Sequence, residues 1–178
     1  AGRVAMTCFN WRFPAAMQRL HAMVDAGFLG RLFHVSARYM VPRWADETAQ
    51  PTWRMDRTHA GHGAMGDLGV HLVDLIRWNF GEPVRVSASA GIAYPTRTVP
   101  GGEKPADTED FCTVMAELAS CLHRSDACGW AFIDIPLKYD YHTHMAKTTR
   151  TDFLPRAAAA ITIMLYSPCG RRRALAGR

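Results

Sequence analysis

The sequence lacks three features that would each point to a particular class of protein. Its longest mainly apolar stretch, residues 157–166, is about half of the ~20 residues that a membrane-spanning helix needs. No charged start followed by an apolar stretch marks a secretory signal peptide, so we expect a cytoplasmic protein with no membrane partner. The five cysteines are odd in number and include no C-x-x-C pair, which argues against a disulfide framework and against a structural zinc site.

The net positive charge belongs to the last third of the chain. The 178 residues include 21 Lys and Arg against 16 Asp and Glu. Residues 1–120 contain 12 of each sign, whereas residues 121–178 contain 9 basic and 4 acidic residues. The three arginines at 171–173 are not accompanied by interleaved aromatic residues or by a nucleic-acid reading motif. We therefore expect no nucleic-acid partner.

Alternation of apolar and polar residues predicts several strands. In residues 33–41 every second residue is apolar, which is the period of a strand with one buried face. The same alternation predicts strands at residues 84–92 and 111–118, and a short apolar run predicts a buried strand at residues 4–9. Clean alternation favours an antiparallel sheet with one covered face.

Two helices are predicted to supply that cover. Apolar residues at helical spacing follow Pro14, which suits a first helical turn, and Gly27 is a plausible end. A second apolar stripe predicts a helix over residues 63–79, preceded by a long polar loop at residues 43–62 and ended near Gly81. We predict an α+β fold with a mainly antiparallel open sheet covered on one face by helices.

One pair of residues on the second predicted helix indicates chemistry. Asp67 and His71 are four residues apart, so on an α-helix they lie on the same face about one turn apart. Histidine titrates near ~6.5, and a neighbouring carboxylate can fix its tautomer and stabilise the imidazolium. The pair therefore predicts a general base.

A metal-dependent hydrolase or isomerase is the alternative enzyme class. His59 and His62 precede Asp67 and His71, and together the four offer nitrogen and oxygen ligands. Against this reading, His59 and His62 lie in a glycine-rich loop without the fixed helical spacing that rigid metal sites use. We predict no metal site, but the spacing alone leaves the alternative open.

Five segments of the chain together form a recognisable pattern. In chain order they read FNWRFP (9–14), DAGFLGRLFHV (25–35), WRMDRTHAGHGAMGDLGVHLVDL (53–75), GEPVRVSA (81–88) and TEDF (108–111). In this order they resemble the C-terminal half of the oxidoreductase family named for glucose-fructose oxidoreductase, inositol dehydrogenase and MocA. Each segment by itself is a weak signal. Their common order over about residues 3–119 makes the resemblance specific.

The resemblance implies a two-domain enzyme of which this chain contains the second domain. The family joins an N-terminal Rossmann domain, which binds NAD or NADP, to a C-terminal domain whose open sheet forms one wall of the active site. Here no G-x-G-x-x-G follows a predicted strand, and the family's Glu-Lys-Pro segment, which contains its catalytic lysine, is absent. The same three letters at residues 103–105 lie in a predicted loop at residues 94–108, and we interpret them as a coincidence. We expect residues 1–9 to be a remnant of the last Rossmann strand and residues 10–119 to be the substrate and dimerisation domain.

The family's site residues fall on five positions of this chain. Its Asp-x-x-x-His motif falls on Asp67 and His71, which implies that they orient and deprotonate a substrate hydroxyl while hydride leaves for nicotinamide. Its Trp-Arg pair falls on Trp53 and Arg54, which implies that the guanidinium contacts a polar substrate or the cofactor, and Arg12, a further candidate for substrate binding, lies near the same domain junction.

The resemblance also implies the substrate, the cofactor and the partners. It predicts an NAD(P)-dependent dehydrogenase of a sugar, an inositol or a related polyol, and a homo-oligomer formed through the open sheet. Lacking a dinucleotide-binding domain, the chain alone is expected to be inactive and to bind neither NAD nor NADP tightly. A non-catalytic dimerisation module is the third hypothesis.

The sequence after Ser120 departs from the family. Residues 120–178 are predicted to be an unmatched basic tail, either divergent or altered by a change of reading frame. Such a tail would lack the strands that complete the sheet and would leave one sheet edge unpaired.

Overall fold

The computed structural model describes residues 2–30, 32–41, 45–46, 48–119, 129–135 and 160–166. The helices are α1 (Ala15–Asp25), α2 (Arg57–Ala60) and α3 (Val70–Phe80). The strands are β1 (His34–Met40), β2 (Pro83–Gly91), β3 (Thr96–Val99), β4 (Gly102–Pro105), β5 (Phe111–Leu118), β6 (Gly129–Ile135) and β7 (Ala160–Tyr166). Two 3₁₀ turns lie at Asn10–Arg12 and Trp53–Met55, and a π turn at Met65–Gly69 leads directly into α3.

Five of the strands form one open sheet in the order β2-β5-β6-β1-β7. The pairs β2–β5, β5–β6 and β1–β7 are antiparallel, and β1–β6 is parallel. Strands β3 and β4 form a separate antiparallel ribbon. The predicted α+β fold with a mainly antiparallel open sheet is therefore confirmed.

The core lies between α3 and one face of this sheet. Leu72, Leu75 and Ile76 recur at helical spacing on α3 and are buried, as that periodicity predicts. Leu72 and Ile76 belong to one hydrophobic cluster with the inward-facing residues of the sheet, whose side chains alternate with outward-facing ones along each strand. The buried sheet residues are Val35, Ala37 and Tyr39 of β1, Cys112, Val114, Ala116 and Leu118 of β5, and Ala131, Ile133 and Ile135 of β6.

Helix α1 has the bounds that its sequence predicts. The carbonyl oxygen of Pro14 accepts hydrogen bonds from the backbone N–H groups of Met17 and Gln18, at 2.9 and 3.1 Å, so the helix begins directly after the proline. It ends at Asp25, and Gly27 follows with φ of +71°, the left-handed conformation in which glycine commonly ends a helix.

The predicted strand at residues 4–9 is wrong. Residues 2–9 form no regular secondary structure, and the side chains of Val4 and Met6 are 96% and 83% exposed. A strand needs a neighbouring strand for its backbone groups, and no strand of the described chain pairs with these residues. An apolar run shows that a segment favours burial, but it does not supply the partner.

The prediction that the chain after Ser120 lacks sheet strands is also wrong. Strand β6 lies between β5 and β1, and β7 pairs with the other side of β1. Ala131, Ile133 and Ile135 are buried at alternate positions, which is the same period that located β1 and β5. The basic residues 171–173 lie outside the described residues.

Strand β2 differs from the predicted half-buried strand because both of its faces are open. Val84 and Val86 are 58% and 61% exposed, although they alternate with polar residues as β1 and β5 do. A cavity of about 190 Å³ separates α3 from β2, with Val73 and Ile76 on one side and Val86 on the other. The helix therefore covers the middle of the sheet but not this edge.

The predicted loop at residues 94–108 contains the β3–β4 ribbon. Pro100 and Gly101 make the turn between the two strands. Gly101 and Gly102, the first residue of β4, have φ of +100° and +129°, which agrees with the preference for glycine where φ is positive. The helices of the described chain are all too short or too polar to cross a lipid bilayer.

Candidate active site

The π turn at Met65–Gly69 places the two predicted catalytic residues on different kinds of helix. Asp67 lies inside the π turn, and His71 is the second residue of α3. In a π turn the backbone hydrogen bonds join residues i and i+5 instead of i and i+4, and such turns are frequent at functional sites. The i, i+4 geometry of a straight α-helix therefore does not apply between these two residues.

Asp67 is paired with Arg54. The Nε–H group of Arg54 donates to Oδ1 of Asp67 at 3.1 Å, and both side chains are 35% exposed. The guanidinium carbon of Arg54 lies 4.6 Å from the ring centre of Trp53, which is 59% exposed. Three of the five predicted site residues are thus in one contact group, in which a cation lies between a carboxylate and an aromatic face.

His71, four residues after Asp67 in the sequence, lies in an aromatic environment. Its ring makes an edge contact with Phe9, with centroids 6.0 Å apart, and a tilted contact with Tyr39 at 6.3 Å. Its Nδ1 atom is buried and has no hydrogen-bond partner in the described chain. Only Nε2 therefore remains to exchange a proton with a ligand.

The structure does not join Asp67 and His71, which the sequence predicts to act as neighbours, by a hydrogen bond within the described residues. The carboxylate of Asp67 accepts from Arg54, and Nδ1 of His71 has no hydrogen-bond partner there. The catalytic role of both residues remains a prediction.

Arg12 is held by a buried carboxylate. Its Nε and Nη2 atoms donate to Oδ2 and Oδ1 of Asp74 at 2.8 and 2.5 Å, and the side chain of Asp74 is only 6% exposed. The guanidinium also lies 5.5 Å from the ring centre of Trp78, whose other contact is the stacked ring of His21. Arg12 thus ties the turn at Asn10–Arg12 to α3, and its predicted contact with substrate remains a prediction.

The segment Thr108–Asp110 holds the surrounding elements, and sequence reasoning did not identify this role. The hydroxyl of Thr108 donates to the carbonyl oxygen of Arg54 at 2.9 Å. Oε1 of Glu109 accepts from the backbone N–H groups of Gly63 and Met65 at 2.8 and 3.3 Å. The signal available in the sequence was the motif TEDF itself, whose acidic residues directly precede a predicted strand.

The four residues of the alternative metal site do not come together. His59 Nδ1 lies 2.6 Å from Oδ2 of Asp56 on the exposed helix α2. The hydroxyl of Thr58 and then the ring of His59 lower the pKa of Asp56 to about 2. Among the described residues no three His, Cys, Asp or Glu side chains form a group that could hold a metal ion.

The helix start at this site does not fit the phosphates of a dinucleotide. Phosphate groups bind helix N-termini through free backbone N–H groups. Here the N–H groups of Gly63 and Met65 donate to the carboxylate of Glu109, and that of Ala64 donates to its carbonyl oxygen at 2.7 Å. The negative charge of Glu109 would also repel phosphate.

Related proteins of known sequence include a sugar dehydrogenase. Levoglucosan dehydrogenase of Pseudarthrobacter phenanthrenivorans is 30% identical over 131 residues, which cover 66% of this chain and 34% of that protein. An uncharacterised oxidoreductase of Synechocystis is 29% identical over 115 residues, which cover 63% of this chain and 31% of the relative. The chain thus spans about a third of the length of these relatives.

Solved structures of levoglucosan dehydrogenase share the fold. The apo form superposes with a TM-score of 0.74 at 22% identity, over 92% of this chain and 39% of that one. The complex with NADH and levoglucosan gives a TM-score of 0.72 at 22% identity, over 93% and 38% of the two chains. At this identity the likeness shows the fold alone.

The family model for the GFO/IDH/MocA C-terminal domain matches residues 17–133. That span begins within α1 and ends within β6, so it includes the contact group of Trp53, Arg54 and Asp67 as well as His71. It also runs past Ser120, beyond the predicted end of the domain at residue 119. The chain belongs to the GFO/IDH/MocA oxidoreductase family.

Proposed function

We propose that this chain is the substrate-binding part of an NAD(P)-dependent dehydrogenase of a sugar or a related polyol. Levoglucosan dehydrogenase, a relative at 30% identity, has been seen with NADH and levoglucosan and with NADH and L-sorbose. The observation that carries the proposal is the Arg54–Asp67 ion pair beside the ring of Trp53, with Asp67 four residues before His71 in the sequence.

Arg54 and Trp53 suit a neutral polyhydroxylated ligand. One N–H group of Arg54 is used by Asp67, which leaves further donors of its planar guanidinium for hydroxyl oxygens. Trp53 offers an exposed apolar ring against which the C–H groups of a sugar can pack. Because Asp67 balances the charge of Arg54, the group does not require an anionic substrate.

His71 is the proposed acceptor of the hydroxyl proton. With Nδ1 buried, a substrate hydroxyl can reach only Nε2, so proton transfer has one defined direction. The rings of Phe9 and Tyr39 fix the plane of the imidazole. The nicotinamide that receives the hydride would be held by residues other than those described here.

Sugar binding tests the first part of the proposal. We expect levoglucosan and L-sorbose to bind the full 178-residue chain weakly, as measured by saturation-transfer NMR. Arg54→Ala should abolish this binding because it removes the free donors. Arg77→Ala is the matched control, since Arg77 is an exposed arginine that pairs with Glu82 at the far end of α3. Equal binding by the Arg54 and Arg77 variants would contradict the proposal.

Turnover tests the role of His71. The assay uses a fusion protein in which this chain replaces the matched region of levoglucosan dehydrogenase. The formation of NADH by the fusion protein is followed by absorbance. We expect His71→Gln to lower kcat on the order of 10²- to 10⁴-fold, the usual contribution of a general base, with little change in KM. A variant that kept its kcat would show that His71 does not accept the proton.

Dimerisation through the sheet is a second proposal and is supported by the open edge at β2. Val84 and Val86 are more than half exposed there, and an edge strand presents unpaired backbone groups to a second chain. We expect a dimer by light scattering and a shift toward monomer in Val86→Lys. A wild-type chain that is monomeric at every concentration would refute this.

A further inference from the structure

We propose that Glu109 is a positioning residue that sets the Arg54–Asp67 pair without touching the substrate. It rests on the proposed function in one respect, namely that the Arg54–Asp67 pair binds the sugar. Glu109 belongs to the segment Thr108–Asp110, which contacts both sides of the pair. Its side chain reaches the helix start on one side, and its neighbour Thr108 reaches the Arg54 turn on the other.

On the side of Asp67, Glu109 satisfies three successive backbone N–H groups. Its carboxylate accepts from Gly63 and Met65, at 2.8 and 3.3 Å, and its carbonyl oxygen accepts from Ala64 at 2.7 Å. The first N–H groups of a helix have no partners inside the helix, and an anion is favoured there by the helix dipole. Glu109 therefore fixes where the π turn begins, two residues before Asp67.

Gly63 shows that this contact is close. A Cβ atom at Gly63 would lie 1.9 Å from the carbonyl oxygen of Glu109, far below any allowed contact. Only glycine permits the backbone of residue 63 to approach Glu109 in this way. The sequence thus pairs a glycine with a glutamate 46 positions later.

On the side of Arg54, the same segment holds the 3₁₀ turn at Trp53–Met55. Thr108 donates its hydroxyl to the carbonyl oxygen of Arg54 at 2.9 Å. The backbone N–H of Asp107 donates to the carbonyl oxygen of Met55 at 3.0 Å. Since these bonds come from residues adjacent to Glu109, movement of Glu109 relative to the helix changes the separation of Arg54 and Asp67.

The test reads the Arg54–Asp67 pair directly in the full chain without ligand. The Nε–H proton of Arg54 is observed by NMR, and its exchange with water is slowed by the hydrogen bond to Asp67. We expect Glu109→Ala and Glu109→Asp to accelerate this exchange by about tenfold or more, as the loss of a charge-assisted hydrogen bond predicts. The Asp variant keeps the charge but is one methylene too short.

Glu109→Gln is the conservative variant. Its Oε1 atom still accepts the two N–H bonds, so the exchange rate of Arg54 should return to within about fivefold of the native rate, the remainder being the lost interaction with the helix dipole. Glu103→Ala is the matched control, because Glu103 is an exposed glutamate on β4, and it should leave the rate unchanged.

Two results would overturn the proposal. In the first, Glu109→Ala accelerates amide exchange at Gly63 and Met65 but leaves the Arg54 proton at its native rate, so that Glu109 only caps the helix. In the second, Glu109→Gln behaves as Glu109→Ala. Failure of the wild-type chain to bind levoglucosan would instead refute the proposed function and leave this test intact.

Discussion

Replacing Arg12 by alanine should destabilise the fold because it leaves a buried carboxylate without its partner. Asp74 is 6% exposed on α3, and two donors of Arg12 reach its two oxygens at 2.8 and 2.5 Å. The pair connects the turn at Asn10–Arg12 with the middle of α3, three residues after His71. Its loss therefore acts both on global stability and on the surroundings of His71.

The expected magnitude follows from the exposure of the two partners. Removing one partner of a fully buried ion pair costs about 3–5 kcal/mol. The side chain of Arg12 is 40% exposed, so water can reach the carboxylate after truncation, and we reduce this to about 2 kcal/mol. The lost contact with Trp78, at 5.5 Å, adds about 0.5 kcal/mol. The free energy of unfolding should fall by about 2–3 kcal/mol.

Urea denaturation of a double-mutant cycle measures this coupling. The cycle consists of Arg12→Ala, Asp74→Asn and the double variant. We expect a coupling energy of at least about 1 kcal/mol, because the double variant no longer contains an unpaired buried charge. Arg12→Lys keeps the charge but not the bidentate hydrogen bonding to Asp74, so it should recover only part of the lost free energy of unfolding.

Additive free energies would refute this reasoning. If the double variant equals the sum of the single variants within about 0.5 kcal/mol, Arg12 and Asp74 do not interact in solution. The same conclusion follows if Arg12→Ala changes stability by less than about 0.5 kcal/mol, the range of an ordinary surface substitution.

Two further predictions concern a cap and a close contact. The pKa of Asp56 is lowered to about 2 first by the hydroxyl of Thr58, so Thr58→Ala should raise it toward its ordinary 3.8 in an NMR titration. A lowered carboxyl pKa contributes stability that is fully present above the unfolded value and is lost as pH falls through about 2. Gly63→Ala should cost about 1–3 kcal/mol in urea, because a backbone carbonyl oxygen lies 1.9 Å from its new Cβ. Gly66→Ala should lower the free energy of unfolding by less. A Cβ atom there would lie 1.8 Å from the side chain of His62, which is exposed and can change its rotamer. Equal losses of stability in the two variants would contradict this.

Local patterns predicted the elements that are decided by neighbours in the chain. The period-2 alternation located β1 and β5, and Pro14 and Gly27 marked the ends of α1. Five segments in register were enough to identify the family, which the match over residues 17–133 confirms. These successes share one reason: a side chain's position on a strand or helix follows from its place in the sequence.

Long-range packing decided what the local patterns did not. Residues 4–9 have the composition of a buried strand, but none of the described strands lies beside them. Val86 lies on an uncovered edge although apolar and polar residues alternate in its strand. Strand β6 joins the sheet from beyond the point at which the family resemblance could be followed.

The sequence by itself determined the family, the fold class and the residue types of the candidate site. Only the tertiary structure decided how those residues are paired. It joined Asp67 to Arg54 instead of His71, and it brought Glu109 to the helix start. Hydrogen bonds between residues 13 and 46 positions apart depend on the packing of separate elements, which the local pattern of the sequence does not specify.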